Sequence, residues 1–209
     1  MTDEHKSLTV DNNTRASDPG EVRLMPLVWL RFNPKWPFYW TFYTIVFVIL
    51  AVMINPLNWI PAGIFMFLHI FYWIRVKEHF LAGCSCPGVI VSLNPILIAV
   101  STDLSMGIGS YPAIKIVRTR LPLIANQKPA IGTMVATVSL YSYPMENAPH
   151  WSDFDPYPVM CATSDAAVIN AKVASFSQED WQELAQMLKN VPQPYKEGLY
   201  LMPVDNSHE

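Results

Sequence analysis

Two cysteines one residue apart, Cys84 and Cys86, are the side chains whose types and spacing most readily suggest chemistry in this chain. Thiolates bind soft metals, form redox pairs and accept palmitate. A closed zinc or iron–sulfur site normally needs four ligands, and only His79 and Cys161 are further candidates. We therefore interpret the cysteines as free thiols, with a metal or redox site as the alternative.

A second group of possible catalytic or metal-binding side chains follows Pro149. His150 supplies an imidazole and Asp153 and Asp155 supply carboxylates, and Asp103 and Glu146 could approach them. General acid/base or metal chemistry requires such groups to converge in a cleft. The preferred interpretation is an ordinary loop whose aromatic residues pack on the core or on a partner.

His69 lies near the middle of an apolar segment, where an ionisable side chain is a functional hypothesis by default. It could ligate haem, relay a proton or form a hydrogen bond across a helical hairpin. The apolar segments contain no second histidine and no carboxylate. We therefore favour a neutral His69 that bonds a backbone carbonyl or a tyrosine or threonine hydroxyl of the first segment.

The chain contains no recognised catalytic signature. Residues 103–112 include two glycines but lack the lysine and hydroxyl of a P-loop, and neither G-x-S-x-G nor H-E-x-x-H occurs. We assign no catalytic residue, no cofactor and no metal. This pattern favours a protein that is not an enzyme.

Two apolar segments, residues 36–54 and 60–74, organise the rest of the chain. The first has 19 residues without a charge, about 28 Å as a helix, which is close to the ~30 Å hydrocarbon core of a bilayer. The second reaches 20 residues when counted over 57–76. The pattern predicts a two-helix transmembrane hairpin. The alternatives are a hairpin that dips into one leaflet and a buried helical pair in a soluble fold.

Basic residues on both sides of this hairpin predict its orientation. Arg23, Arg31 and Lys35 precede it and Arg75 and Lys77 follow it, whereas the connecting turn carries no charge. By the positive-inside rule both termini are cytoplasmic. The polar N-terminal segment does not have the pattern of a cleavable signal peptide.

The remaining sequence predicts one modest cytoplasmic domain and two tails. The formal charge of −3 without a basic stripe excludes nucleic acid as a partner. The N-terminal residues are polar, as in disordered segments, and residues 24–32 are apolar enough to lie on the membrane or on the domain. The predicted parts are a disordered cytoplasmic tail 1–23, a juxtamembrane segment 24–35, the hairpin with its exit helix 36–83, an α+β domain 84–203 and a tail 204–209.

Short stretches rich in Val, Ile and Thr, separated by turn signals, predict the strands of this domain. They are residues 87–93, 96–102, 113–118 and 133–141, with a fifth strand at 158–162 and an extended edge piece at 198–202. Helices are predicted at 165–175 and 177–190, the second with a capping box at Ser177 and Asp180. The fold class is therefore α+β, with a small antiparallel sheet or partly open barrel and C-terminal helices.

Three stretches carry a resemblance to a known family: NPILIAVSTDLSMGIGSYPAIKIVRTRLP, IGTMVATVSLY, and HWSDFDPYPV followed by FSQEDWQELAQMLKNVPQPYKEGLY. Over residues 85–202 the chain resembles an uncharacterised bacterial family of unknown function with a membrane-anchored or free α+β domain. The resemblance implies a bacterial source and an inner membrane. It implies no activity and no site residue.

Together these features predict a membrane-tethered cytoplasmic interaction or adaptor module. Its expected partners are the lipid bilayer and a membrane or cytoplasmic protein. The alternatives are an accessory subunit of a membrane protein complex and a membrane-bound redox or metal protein or enzyme.

Overall fold

The computed structural model of the chain describes residues 18–106, 109–121, 128–144 and 148–203. It confirms the α+β class: two apolar helices come first, followed by a six-stranded antiparallel sheet and C-terminal helices. The helices are α1 Pro26–Phe32, α2 Lys35–Met53, α3 Trp59–Ala82, α4 Ala166–Ala174 and α5 Gln178–Leu188. The strands are β1 Cys84–Leu93, β2 Ile96–Asp103, β3 Pro112–Arg118, β4 Met134–Ser142, β5 Asp153–Pro158 and β6 Gly198–Leu201.

Helices α2 and α3 form the hairpin, and both are long and apolar enough to cross a membrane. Phe65 of α3 stacks on Tyr43 and Phe47 of α2, with ring centroids 5.2 and 5.4 Å apart. Only 11% of the first apolar window and 6% of the second are buried within the protein, so this pair is not the core of a soluble fold. An apolar surface this large is stable in lipid, which indicates membrane association.

Helix α3 continues without a break from the hairpin into the α+β domain. Its 24 residues correspond to about 36 Å, which exceeds the ~30 Å hydrocarbon core. Its last turns lie in the domain core, where Phe80 is fully buried and Val76 is 8% exposed. The helix ends at Ala82, and Gly83 is its C-cap residue.

Residues 18–22 pack against the end of α3, so this part of the predicted disordered tail is ordered. Gly20 donates its N–H to the carbonyl of Gly83 at 2.8 Å, and Val22 donates to the carbonyl of Phe80 at 3.0 Å. The last carbonyls of a helix lack hydrogen-bond partners within the helix. The N–H groups of this segment are their partners. Composition alone did not reveal that role. Residues 1–17 of the predicted tail lie outside the described residues.

The sheet has the strand order β5-β4-β1-β2-β3-β6, with antiparallel neighbours throughout. β1 and β2 form the predicted hairpin. β3 and β5 are not neighbours in this order, yet Lys115 of β3 bonds three groups of β5. The sheet therefore curls into a half-barrel, which confirms the predicted partly open barrel.

Different helices cover the two faces of this sheet. On one face, Ile114 and Ile116 of β3 pack with Leu184 and Met187 of α5. α5 begins with the predicted capping box, which is formed by the side chains of Ser177 and Asp180. On the other face, residues of α1, α3 and α4 join the main core, which includes Trp29, Phe80 and Ile169.

The predicted fifth strand, at 158–162, is wrong in position. β5 spans Asp153–Pro158, and Val159–Cys161 form a 3₁₀ turn. Residues 153–158 contain two prolines and two aspartates, a composition that is typical of a loop. β5 is an edge strand of the sheet, and an edge strand tolerates prolines because part of its backbone needs no ladder partner.

Candidate functional site

Lys115 connects β3 to β5 across the open side of the half-barrel. Its Nζ donates to Asp153 Oδ2 at 2.8 Å, to the Phe154 carbonyl at 2.6 Å and to Asp155 Oδ1 at 3.2 Å. The lysine side chain is 14% exposed, and these bonds use all three of its donors. The two carboxylates considered for catalysis or metal binding thus pair with a cation that holds the barrel closed.

Loss of this lysine is expected to destabilise the domain moderately. In Lys115→Met we expect the free energy of unfolding to fall by about 1–2 kcal/mol, less than for a fully buried pair, because the carboxylates are 42% and 69% exposed. Urea unfolding in detergent micelles, followed by tryptophan fluorescence, measures the change. Lys189→Met, at an exposed position beyond α5, is the control, and equal stabilities of the two variants would contradict a closing role for Lys115.

His150 lies apart from this ion pair. Its Nδ1–H donates to the Trp151 carbonyl at 2.8 Å, and its ring packs on Tyr111 with centroids 4.7 Å apart. Among the residues that the structure describes, no hydrogen bond joins His150 to Asp153 or Asp155. The histidine and the carboxylates therefore do not form one catalytic constellation.

Asp103 stabilises its own loop. Its Oδ1 accepts the N–H of Ser105 at 2.7 Å and that of Tyr111 at 2.8 Å, and its Oδ2 accepts the hydroxyl of Ser110 at 3.0 Å. These bonds are typical of a turn between strands. Glu146 lies outside the described residues.

Cys84 and Cys86 belong to a cluster of thiols and hydroxyls. They are two residues apart in β1, and side chains at this spacing in a strand face the same side of the sheet. The Cys86 Sγ lies 3.6 Å from Thr102 Oγ1, which lies 2.6 Å from the Tyr141 hydroxyl oxygen. Sequence reasoning did not select Thr102 or Tyr141, since strand pairing alone brings them to the cysteines.

The two thiols of this cluster differ in acidity. A hydrogen bond from the Cys86 thiol lowers the pKa of Cys84 to about 6, against an opposing effect of burial, and the Tyr141 hydroxyl assists. The pKa of Cys86 is raised, first because its proton is held in that bond and second because of burial. Burial also raises the pKa of Cys161, to about 12. Cys84 is therefore the thiol most readily ionised at neutral pH.

Alkylation should reveal this difference between the thiols. We expect iodoacetamide to modify Cys84 with a midpoint near pH 6, because the thiolate is the reactive form; the rate falls below that pH as the sulfur is protonated. Cys161 should stay unmodified at neutral pH. Peptide mass spectrometry gives the rate at each site.

The matched variant for this experiment is Cys86→Ala, which removes the hydrogen-bond donor to Cys84. Its midpoint should move up towards about 8.5, the value of an unperturbed thiol. A midpoint near 8.5 in the unaltered protein would contradict the assigned hydrogen bond.

The candidate metal ligands are held in separate contacts. His79 is 8% exposed in the domain core, with its Nε2 2.8 Å from the Val138 carbonyl oxygen. Within the described parts of the chain, no group of three or more His, Cys, Asp or Glu side chains is placed to hold a metal ion.

His69 does not bond the first apolar segment, contrary to our prediction. Its Nε2 accepts the indole N–H of Trp73 at 3.1 Å. Residues four apart lie on the same face of a helix, so the nearest donor belongs to the same helix. Among described atoms, the buried Nδ1 has no hydrogen-bond partner.

A half-open cavity of about 790 Å³ lies where the end of α1 meets β2, β3 and β5. Its walls include apolar and charged side chains, among them Asn33, Ile96, Arg118, Arg120, Tyr157 and Glu197. Both arginines are exposed. Neither was selected from the sequence, where the available signal was two arginines with a spacing of two at the end of a strand.

Comparison with known proteins identifies a family but no activity. A family model described as a protein of unknown function (DUF3239) matches residues 74–191, which is more than half of the 209 residues. Among curated proteins, none matches the chain. A similar solved structure is that of "a putative membrane protein from Corynebacterium diphtheriae", with 21% identity and a TM-score of 0.48, covering 56% of this chain and 99% of that chain.

Proposed function

Since the chain belongs to the DUF3239 family of unknown function, in agreement with the resemblance found in its sequence, we propose that it is a membrane-tethered interaction module. In this proposal the hairpin anchors the protein, and the α+β domain is held against the cytoplasmic face to bind a protein or a small ligand. The observation that carries the proposal is the continuity of α3, which belongs both to the hairpin and to the domain core.

Both chain segments that join the hairpin to the domain are packed on the domain. Before the hairpin, Trp29 of α1 donates its indole N–H to the Tyr72 hydroxyl of α3 at 2.7 Å. The same indole packs edge-on against Phe80, with ring centroids 5.6 Å apart. α1 therefore packs against the C-terminal part of α3. These contacts favour a domain with a fixed orientation to the bilayer.

The charges on either side of the hairpin support a cytoplasmic domain. Arg31 and Lys35 precede the first apolar segment and Lys77 is exposed after the second, whereas the turn at Pro56–Asn58 is uncharged. The positive-inside rule places such flanks in the cytoplasm. We infer a bacterial inner membrane, from the bacterial character of the family that the sequence resembles.

A binding role is favoured over catalysis by the contacts of the candidate side chains. Asp153 and Asp155 are engaged by Lys115, and His150 bonds a neighbouring carbonyl. The cavity beside α1 is instead lined by arginines that form no ion pair with any described residue. It is the place where we expect a partner or ligand to bind.

Site-specific photo-crosslinking in intact cells tests this function. A photoreactive residue at Thr119, in the cavity wall, should give one discrete product with the occupant of the cavity, a protein or a small ligand. The same residue at Gln182, exposed on α5, is the matched control and should give none. Products from Phe42, exposed on α2, would instead identify an accessory subunit that packs through its hairpin. Absence of any product from Thr119 would contradict a partner at the cavity.

A reporter of topology tests the orientation separately. A fluorescent protein fused after Glu209 should be fluorescent, and an alkaline phosphatase fused at the same point should be inactive. The reverse pattern would place the domain on the other side of the membrane.

A further inference from the structure

We propose that the cavity beside α1 binds the phosphate group of an anionic lipid at the membrane surface, with Arg118 and Arg120 as its ligands. This inference rests on the proposed function, because it requires the domain to be held at the bilayer. It also assigns a chemical class to the ligand of that domain.

The wall formed by α1 places the cavity next to the point where the chain enters the membrane. Phe32 and Asn33 line it, and Lys35 begins the first apolar helix two residues later. The Nζ of Lys35 lies 5.7 Å from the centroid of the Trp36 ring, and lysine with tryptophan is typical of the interface between headgroups and acyl chains. The cavity is therefore at the level of the lipid headgroups.

The wall opposite α1 indicates that one end of the sheet also lies at the level of the lipid headgroups. After α3 ends at Ala82, β1 runs for ten residues, about 33 Å. Because Pro95, which follows β1, lines the same cavity as Asn33, β1 returns to the membrane surface.

Exposed apolar side chains are gathered at this end of the sheet. Leu93 at the end of β1 is 44% exposed, and Ile131 and Met134 at the start of β4 are 67% and 49% exposed. Met134, the first residue of β4, pairs with Val89 in the second half of β1, so these residues lie towards the end of the sheet where Pro95 lines the cavity. Apolar side chains beside basic ones are typical of surfaces that contact lipid.

The charges of the cavity favour an anion. Within the described residues, Arg118 and Arg120 form no ion pair, and the carboxylate of Asp155 in the wall is already bound by Lys115. The negative charge of Glu197, which also lines the cavity, partly offsets the positive charge of the two guanidinium groups. A guanidinium binds phosphate in a bidentate manner, and it is more weakly hydrated than an ammonium group.

The size and the apolar walls of the cavity fit a lipid headgroup with its glycerol. A volume of about 790 Å³ falls in the range of small-molecule sites, roughly 300–1,000 Å³. Ile96, Val117 and Tyr157 line it together with the arginines. They offer apolar contact to the glycerol and the first carbons of the acyl chains.

Native mass spectrometry of the full chain in detergent tests the proposal, with short-chain phosphatidylglycerol and phosphatidylcholine as probes. We expect R118Q/R120Q to weaken phosphatidylglycerol binding about tenfold or more, because the loss of a single hydrogen bond to a charged group already weakens binding by about that factor. R23Q/K189Q removes the same charge at exposed positions outside the cavity and should change binding less than twofold. E197Q, which removes the opposing carboxylate, should tighten binding about two- to threefold.

Three results would overturn the inference. Equal binding of the two lipids would remove the role of the anionic headgroup, and unchanged binding in both R118Q/R120Q and E197Q would remove the cavity. Displacement of the lipid by an equal concentration of inorganic phosphate would identify a soluble phosphate compound as the occupant. Lipid binding in detergent is independent of topology and of protein partners, so its failure is distinct from a failure of the reporter or crosslinking experiments.

Discussion

Replacing Phe80 with alanine is expected to lower the free energy of unfolding of the domain by about 3–5 kcal/mol, the range for a fully buried aromatic residue. Phe80 has no exposed surface, and its ring packs against Trp29 and Tyr157. The substitution would leave a cavity between α3, α1 and β5. Since Phe80 belongs to the helix that leaves the bilayer, the change would loosen the domain from its anchor as well as destabilise its core.

Urea unfolding in detergent micelles measures this change, with Phe67→Ala as the matched control. Phe67 lies on the same helix but is 64% exposed and contacts Phe71 of its own helix. We expect the control to change the stability of the domain by less than about 0.5 kcal/mol. A similarly small effect in Phe80→Ala would show that the end of α3 is not part of the domain core.

Replacing Gly83 with alanine should be nearly as disruptive, with an expected loss of about 1–3 kcal/mol. An added Cβ would collide with the carbonyl oxygen of His79 and would lie 2.8 Å from the carbonyl oxygen of Ser139. Both obstacles are backbone atoms, so relief would require α3 or β4 to move. The glycine is thus needed for the close approach of the helix end to the sheet.

Gly63→Ala, in the same helix, provides a control of opposite sign. Its Cβ would meet no described atom within 4 Å, and alanine is favoured over glycine within a helix by about 0.5–1 kcal/mol. We expect a small gain in thermal stability for Gly63→Ala and a large loss for Gly83→Ala. Equal melting temperatures of the two variants would contradict the close contact at Gly83.

The hairpin, most strands and the last helix could be predicted because each is specified locally. Uncharged runs of bilayer length, turns between short Val- and Ile-rich stretches, and the box at Ser177 and Asp180 are visible within a few residues of sequence. β5 could not be predicted in place, because its composition is that of a loop. Only its position at the edge of the sheet makes that composition acceptable.

The contacts of the candidate site depend on long-range pairing, which periodicity does not report. In the sequence of β3, Lys115 alternates with Ile114 and Ile116, a pattern that predicts a solvated face for the lysine. In the structure this lysine faces β5, whose carboxylates lie 38 and 40 residues further along the chain. Because the sheet curls, a lysine that the sequence pattern places in solvent forms a contact that closes the barrel.

The burial of the end of α3 had a signal in the sequence that was not used. Val76, His79 and Phe80 are spaced as one face of a helix, and all three are buried in the structure. The family match begins at residue 74, so the matched region includes this end of α3. The hairpin is therefore not a separable anchor: its second helix also belongs to the domain.

Hydrogen exchange at the junction between hairpin and domain tests this continuity most directly. With the full chain in lipid nanodiscs, mass spectrometry would follow the amides of residues 77–82, which lie beyond the apolar segment. A helix packed in the domain core predicts exchange as slow as that of the central residues of β1. Exchange within seconds at 77–82, with β1 protected, would show a flexible linker and contradict a domain held rigidly at the membrane.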